Sequence, residues 1–106
     1  MNANTKTQGY IVRANRGRAR IWIQGTRLTE AGFTPGRHYR VERDADLALY
    51  LISAEADRGE EVRKVSGKGD LAIIDISGKG AAPFQTGDLV TITYRPGLIT
   101  IRPEGK

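Results

Sequence analysis

The chain has 106 residues, 39% hydrophobic and 27% charged, which leaves room for one modest core and is too apolar for a wholly disordered chain. It contains no cysteine, which excludes disulfides, thiolate zinc sites and cysteine nucleophiles. Seventeen Lys and Arg against twelve Asp and Glu leave a net charge of +5, a balance that favours polyanionic partners.

Residues 1–9 are polar and read as a flexible N-terminus. They carry no signal-peptide core, and no apolar run approaches the ~18 residues that cross a bilayer, so a cytoplasmic protein without a membrane partner is expected. Strands are predicted over 10–14 and 19–24, joined through Asn15-Arg16-Gly17-Arg18 as a hairpin in which Asn and Gly supply positive φ. In the second of these, Ala19, Ile21 and Ile23 share one face, with Arg20, Trp22 and Gln24 on the other. Residues 26–31 form a short helix, with Thr26 as its cap and Gly32 after its end. Phe33-Thr34-Pro35-Gly36 turns the chain into a strand at 37–43, with Tyr39 and Val41 inward. Asp44-Ala45-Asp46 leads to 47–53, the most apolar strand, and residues 54–60 form a linker. Beyond it, strands at 61–65 and 71–76 flank Ser66 to Asp70. A Gly/Ala-rich loop and Phe84-Gln85-Thr86-Gly87 follow, then strands at 88–95 and 98–102 around Pro96-Gly97, and a tail at 103–106. Eight strands in two halves, 10–53 and 61–102, are expected.

The halves repeat. With Gly25 set on Gly78, Val12, Ala19, Ile21 and Ile23 fall on Val65, Ala72, Ile74 and Ile76. With Phe33 set on Phe84, Gly36, Tyr39, Val41 and Leu47 fall on Gly87, Val90, Ile92 and Leu98. The second copy is two residues shorter in the loop where the first has its helix.

Ile21-x-Ile23-x-Gly25, Leu28, Ala31-Gly32-Phe33, Gly36 and Val41 resemble the SymE-like branch of the AbrB/MazE swapped-hairpin family. The match covers about a third of the chain, and Phe84-x-x-Gly87 is a fainter echo of it in the second half. Arg27 stands where that branch usually has Trp, and the family typically carries one such unit per chain. The resemblance implies a mainly β, swapped-hairpin barrel. Here two tandem halves of one chain would interlock as a pseudo-dimer, as in MraZ-type proteins, and a homodimer is the other arrangement. It implies DNA binding as a transcriptional regulator or nucleoid-associated protein. For the SymE-like branch it also implies a toxin that cleaves RNA. A MazE-like antitoxin would need a long tail to mask its toxin, and only Pro103 to Lys106 follow the last predicted strand. A phage-encoded inhibitor of a host protein would fit the same composition.

The charge is uneven. Residues 1–58 carry a net +4 and residues 59–106 a net +1. Arg13, Arg16, Arg18, Arg20 and Arg27 fall within fifteen positions, and the first acid is Glu30. These five are the candidate nucleic-acid-binding residues, with Arg37, Arg40 and Arg43 as a second row. Arginine suits the task because its planar fork pairs bidentately with phosphate and with guanine edges. Five engaged arginines imply a salt slope of roughly −4 to −5. Duplex DNA is the expected partner and RNA the alternative. Trp22 is read as cover for an apolar surface rather than a base-stacking platform.

The chemistry of cleavage is thinly represented. The one histidine, His38, has Glu30 and Glu42 as conceivable partners, yet no spacing requires either. Asp44 and Asp46 flank a turn, while Asp70, Asp75 and Asp88 are scattered. No metal or cofactor motif appears, and no catalytic residue is assigned. Gly78-Lys79-Gly80 resembles a fragment of a phosphate loop without its length or its Ser/Thr, and is read as the shortened repeat loop.

Overall fold

Apolar side chains alternating with polar ones give a mainly β chain in the computed structural model, which describes residues 5–44, 48–54 and 61–104. The strands are β1 (Lys6–Ile11), β2 (Arg13–Asn15), β3 (Arg18–Gln24), β4 (His38–Arg43), β5 (Leu49–Ala54), β6 (Val62–Lys64), β7 (Ser66–Lys68), β8 (Leu71–Ser77), β9 (Leu89–Arg95) and β10 (Leu98–Pro103). One short helix, α1 (Thr26–Glu30), follows β3, and a 3-10 turn over Gly78–Ala81 follows β8. Two antiparallel sheets result. The six-stranded sheet has the order β1-β9-β10-β5-β4-β6 and the four-stranded sheet the order β2-β3-β8-β7.

Both orders are palindromes when β1 is matched to β6, β2 to β7, β3 to β8, β4 to β9 and β5 to β10. Strands from the first part of the chain therefore lie between strands from the second. Registers repeat as well. Arg13↔Arg20 recurs as Ser66↔Ile73, and Ile11↔Leu89 recurs as Lys64↔His38. The last strand departs slightly. Tyr39↔Ser53 corresponds to Val90↔Pro103, so the expected match of Leu47 with Leu98 slips by one position. The matched pairs Arg43↔Leu49 and Tyr94↔Ile99 enclose five and four residues, and Leu47 itself lies outside the described residues.

Among the described residues ten strands stand where eight are predicted, because Val12 divides the strand expected over 10–14 and β7 forms in the segment Ser66 to Asp70 that was expected to connect two strands. Val12 separates β1 from β2 and Val65 separates β6 from β7; both are buried. The Val12 amide donates to the Asp88 carbonyl (2.9 Å), and its carbonyl accepts from the Gly87 amide (2.8 Å). Val65 does the same with Arg37 and Gly36, at 2.9 Å each. At these points the chain leaves the six-stranded sheet for the four-stranded one. A buried apolar side chain fills each corner, and a loop backbone satisfies its polar groups. The first strand also starts earlier than predicted, at Lys6, through pairing with Tyr94. Residues 55–60 of the predicted linker and residues 45–47 lie outside the described residues.

The core lies between the sheets. Ile21, Ile23, Ile74 and Ile76 face it from the four-stranded sheet; Tyr39, Leu51, Ile92, Tyr94 and Ile99 face it from the other. Phe33 meets Tyr39 edge-to-face, with ring centroids 6.2 Å apart. Burial pushes the Tyr39 phenol up to about 12. Leu28 anchors α1 in this core. Gly25 rather than Thr26 is the helix N-cap, and no side chain caps it. The Gly25 amide is still held by the Ala72 carbonyl (3.1 Å), so the helix starts directly from the sheet. Among the described residues no helix is long and apolar enough to cross a membrane.

Candidate nucleic-acid interface

Inward burial of Ile21 and Ile23 sends their neighbours Arg18, Arg20, Trp22 and Gln24 to the outward face of the four-stranded sheet. Residues paired across a ladder project to the same side, so Arg13 (opposite Arg20) and Asn15 (opposite Arg18) join them. The Asn15↔Arg18 pair leaves Arg16 and Gly17 as a two-residue loop. Both have positive φ, 56° and 79°, as a primed hairpin turn requires. The hairpin expected from the sequence has Asn15 at the first left-handed position. The register moves it to Arg16, while Asn15 stays in the strand.

The five leading arginines divide into two groups. Among the described residues, the guanidinium groups of Arg13, Arg16 and Arg18 have no hydrogen-bond or ion-pair partner, and all three side chains are exposed. Arg20 is engaged. It donates from Nε to Asp75 Oδ1 and from Nη2 to Asp75 Oδ2, both at 2.9 Å. Its guanidinium also lies 4.5 Å from the centre of the Trp22 ring. Trp22 Nε1 donates in turn to Gln24 Oε1 (2.8 Å). Trp22 thus sits half-buried on the outward face beneath Arg20. Arg27, on α1, donates to Gln8 Oε1 (3.0 Å), which also accepts from the Tyr94 hydroxyl (2.7 Å).

The second row belongs to another surface. Arg40 is on β4 in the six-stranded sheet, pointing away from buried Tyr39 and Val41, and contacts Glu42 at 3.4 Å. Arg37, just before β4, donates to Ser53 Oγ (3.0 Å). Arg43 has a structural task. Its Nε donates to the Ala82 carbonyl and its Nη2 to the Gly80 carbonyl, each at 2.8 Å, while its Nη1 donates to Glu61 Oε1 at 2.8 Å. This guanidinium holds the Glu61 carboxyl below the usual carboxylate range. Lys68 is the addition that sequence reading missed. Opposite Leu71 in the ladder, it shares the outward face of the four-stranded sheet with the hairpin arginines. Only the pairing of the two hairpins through β3 and β8 reveals this.

Among the described residues, those considered for cleavage do not assemble. His38 lies in β4 opposite Ala54 and Lys64, and no carboxylate contacts it among the described residues. Glu42 is turned to Arg40. Among the described residues, no group of three or more His, Asp or Glu is placed to hold a metal ion. Compared with known proteins, the chain matches no family model, no curated protein and no solved structure.

Proposed function

We propose that the outward face of the β2–β3 hairpin binds duplex DNA through its phosphates, in the manner of a nucleoid-associated protein or transcriptional regulator. Arg13, Arg16 and Arg18 are the contacting cations. The observation that carries this reading is the contrast with the twin hairpin. At the positions matching Arg13, Arg16, Arg18 and Arg20, the β7–β8 hairpin has Ser66, Gly69, Leu71 and Ile73, with the same pairing register. The scaffold therefore does not require arginine there. Three unpartnered cations on paired strands and a two-residue loop also form a stiff array, which limits the ordering cost of binding. Arginine at the left-handed Arg16 position is energetically unfavourable, and strain of this kind clusters at functional sites.

A titration of labelled duplex DNA at several salt concentrations, with an equal-length RNA competitor, tests the proposal. Three engaged arginines contribute a slope of about −3 in log K against log salt. Replacing Arg13, Arg16 and Arg18 together by Ala should remove that contribution while leaving the melting temperature within a few degrees. Unchanged binding by the triple variant would overturn the placement of the site. Preference for RNA would overturn the choice of nucleic acid.

A further inference from the structure

Gly78-Lys79-Gly80, read from sequence only as a shortened loop, has a distinct environment in the folded chain. It borders an open cleft lined by Arg18, Arg63, Ser77 and Lys79 together with the two glycines. Each glycine has an arginine laid against it. A Cβ on Gly78 would come 3.3 Å from Arg18 Nη1 and 3.5 Å from Arg18 Cδ. A Cβ on Gly80 would run into Arg63 Nη2. The bare backbone is thus what lets both guanidinium groups approach the loop, and Lys79, between the two glycines in sequence, is exposed.

The charges there are unbalanced. No carboxylate lines the cleft among the described residues. The nearest acid contact is Glu61, which accepts a 2.8 Å hydrogen bond from Arg43 Nη1 and one from Arg63 Nη2 only at 3.5 Å. Arg63 Nε is buried with no acceptor. Arg18 and Lys79 have no partner among the described residues. Arg63 reaches this place because β6 pairs it opposite buried Tyr39, which turns its side chain toward the space between the sheets. Arg43 then fixes the loop from below through the Gly80 and Ala82 carbonyls. Three cations lining one cleft, with no carboxylate beside them among the described lining residues, form an arrangement that a multidentate oxyanion satisfies.

We infer that this cleft is a phosphate-group site, with Arg18, Lys79 and Arg63 as its ligands. The phosphate is either a backbone phosphodiester of a bound nucleic acid or a free phosphate. The site shares Arg18 with the hairpin surface but does not depend on that surface holding DNA.

Amide and arginine Nε–H resonances of the full-length protein, followed by NMR during titration with inorganic phosphate against chloride at constant ionic strength, provide the test. Phosphate should shift Gly78, Lys79, Gly80 and the Arg63 Nε–H in a saturable way, with no comparable change in chloride. Lys79→Ala, at an exposed position without a partner, should weaken the phosphate response about tenfold while leaving the rest of the spectrum in place. Gly80→Ala should abolish the Arg63 Nε–H shift by displacing that guanidinium. A short DNA duplex is then added to the phosphate-loaded protein. Release of phosphate assigns the site to a nucleic-acid phosphodiester, and retention assigns it to a free phosphate. Identical responses to phosphate and chloride, or a response untouched in both variants, would overturn the inference, whatever the hairpin variants do to DNA affinity.

Discussion

The β2–β3 and β7–β8 hairpins are built on one register and carry opposite chemistry. Both pair their strands at matching positions, and both lie at an edge of the same four-stranded sheet. The first hairpin has Arg13, Ala14, Arg16, Arg18 and Arg20 where the second has Ser66, Gly67, Gly69, Leu71 and Ile73. Their shared inward residues, Ala19, Ile21 and Ile23 against Ala72, Ile74 and Ile76, make the core common to both. Fold information thus resides on one face of each strand and charge on the other. The outward face was free to diverge because solvent imposes little on it.

The strongest way to break the comparison is at Gly67. Its φ is +108°, and a Cβ there would collide with the Leu71 carbonyl, whereas the matching Ala14 is accommodated in β2. Gly67→Ala should cost about 3 kcal/mol in a denaturant titration. Ala14→Gly should cost well under half of that. Equal costs would show that the close approach of the Gly67 backbone to the Leu71 carbonyl does not set the two hairpins apart.

Asp75→Ala sharpens the comparison next. It releases Arg20 from its bidentate partner and should add about one unit to the steepness of the salt dependence of duplex binding. Affinity should rise with it, and thermal stability should fall slightly. Weaker binding would show that the pair itself shapes the surface.

Arg16→Gly separates stability from binding at one residue. The variant should gain about 0.5–1 kcal/mol, since glycine occupies positive φ without strain. It should also lose about 0.9 of salt slope. A variant that gains stability and keeps its full slope would remove Arg16 from the interface.

The smallest effect concerns Glu61, and it should be visible only in acid. Arg43 lowers its folded pKa from a reference of 4.5. The resulting stabilisation is complete above the unfolded pKa and is lost as pH falls through the folded one. Melting temperature should therefore drop through that acid range, and Arg43→Ala should make the drop shallower. Parallel profiles for the two proteins would show that the contact has no bearing on acid stability.

Much of the strand content and of the repeat was legible in the sequence because alternation is local. Ile21 and Ile23 announce their face within three residues, as do Tyr39 and Val41. The division of a strand at Val12 was not legible, because a corner residue and a strand residue look alike until a second sheet exists to receive the chain. Nor was the start at Lys6, since Lys6-Thr7-Gln8-Gly9 lacks alternation and becomes a strand by pairing with β9 near the far end of the chain.

The candidate site divides along the same line. Arginine density between residues 13 and 27 is a property of the sequence and marks the basic hairpin directly. Which of those arginines remain available was settled by tertiary pairing. Asp75 lies 55 positions from Arg20 and engages it, while Gln8 does the same for Arg27. In the sequence the cluster of Arg18, Arg63 and Lys79 shows only at Gly78-Lys79-Gly80, a phosphate-loop fragment without the length or the Ser/Thr of one. Its members come from β3, β6 and the 3-10 turn, and meet only because the strands interleave. Hydrophobic periodicity and net charge are sums over neighbours, so the sequence by itself determined the β class and the basic first half. Ion pairing and clefts depend on separations of a few ångströms between distant segments, and those only the tertiary structure decided.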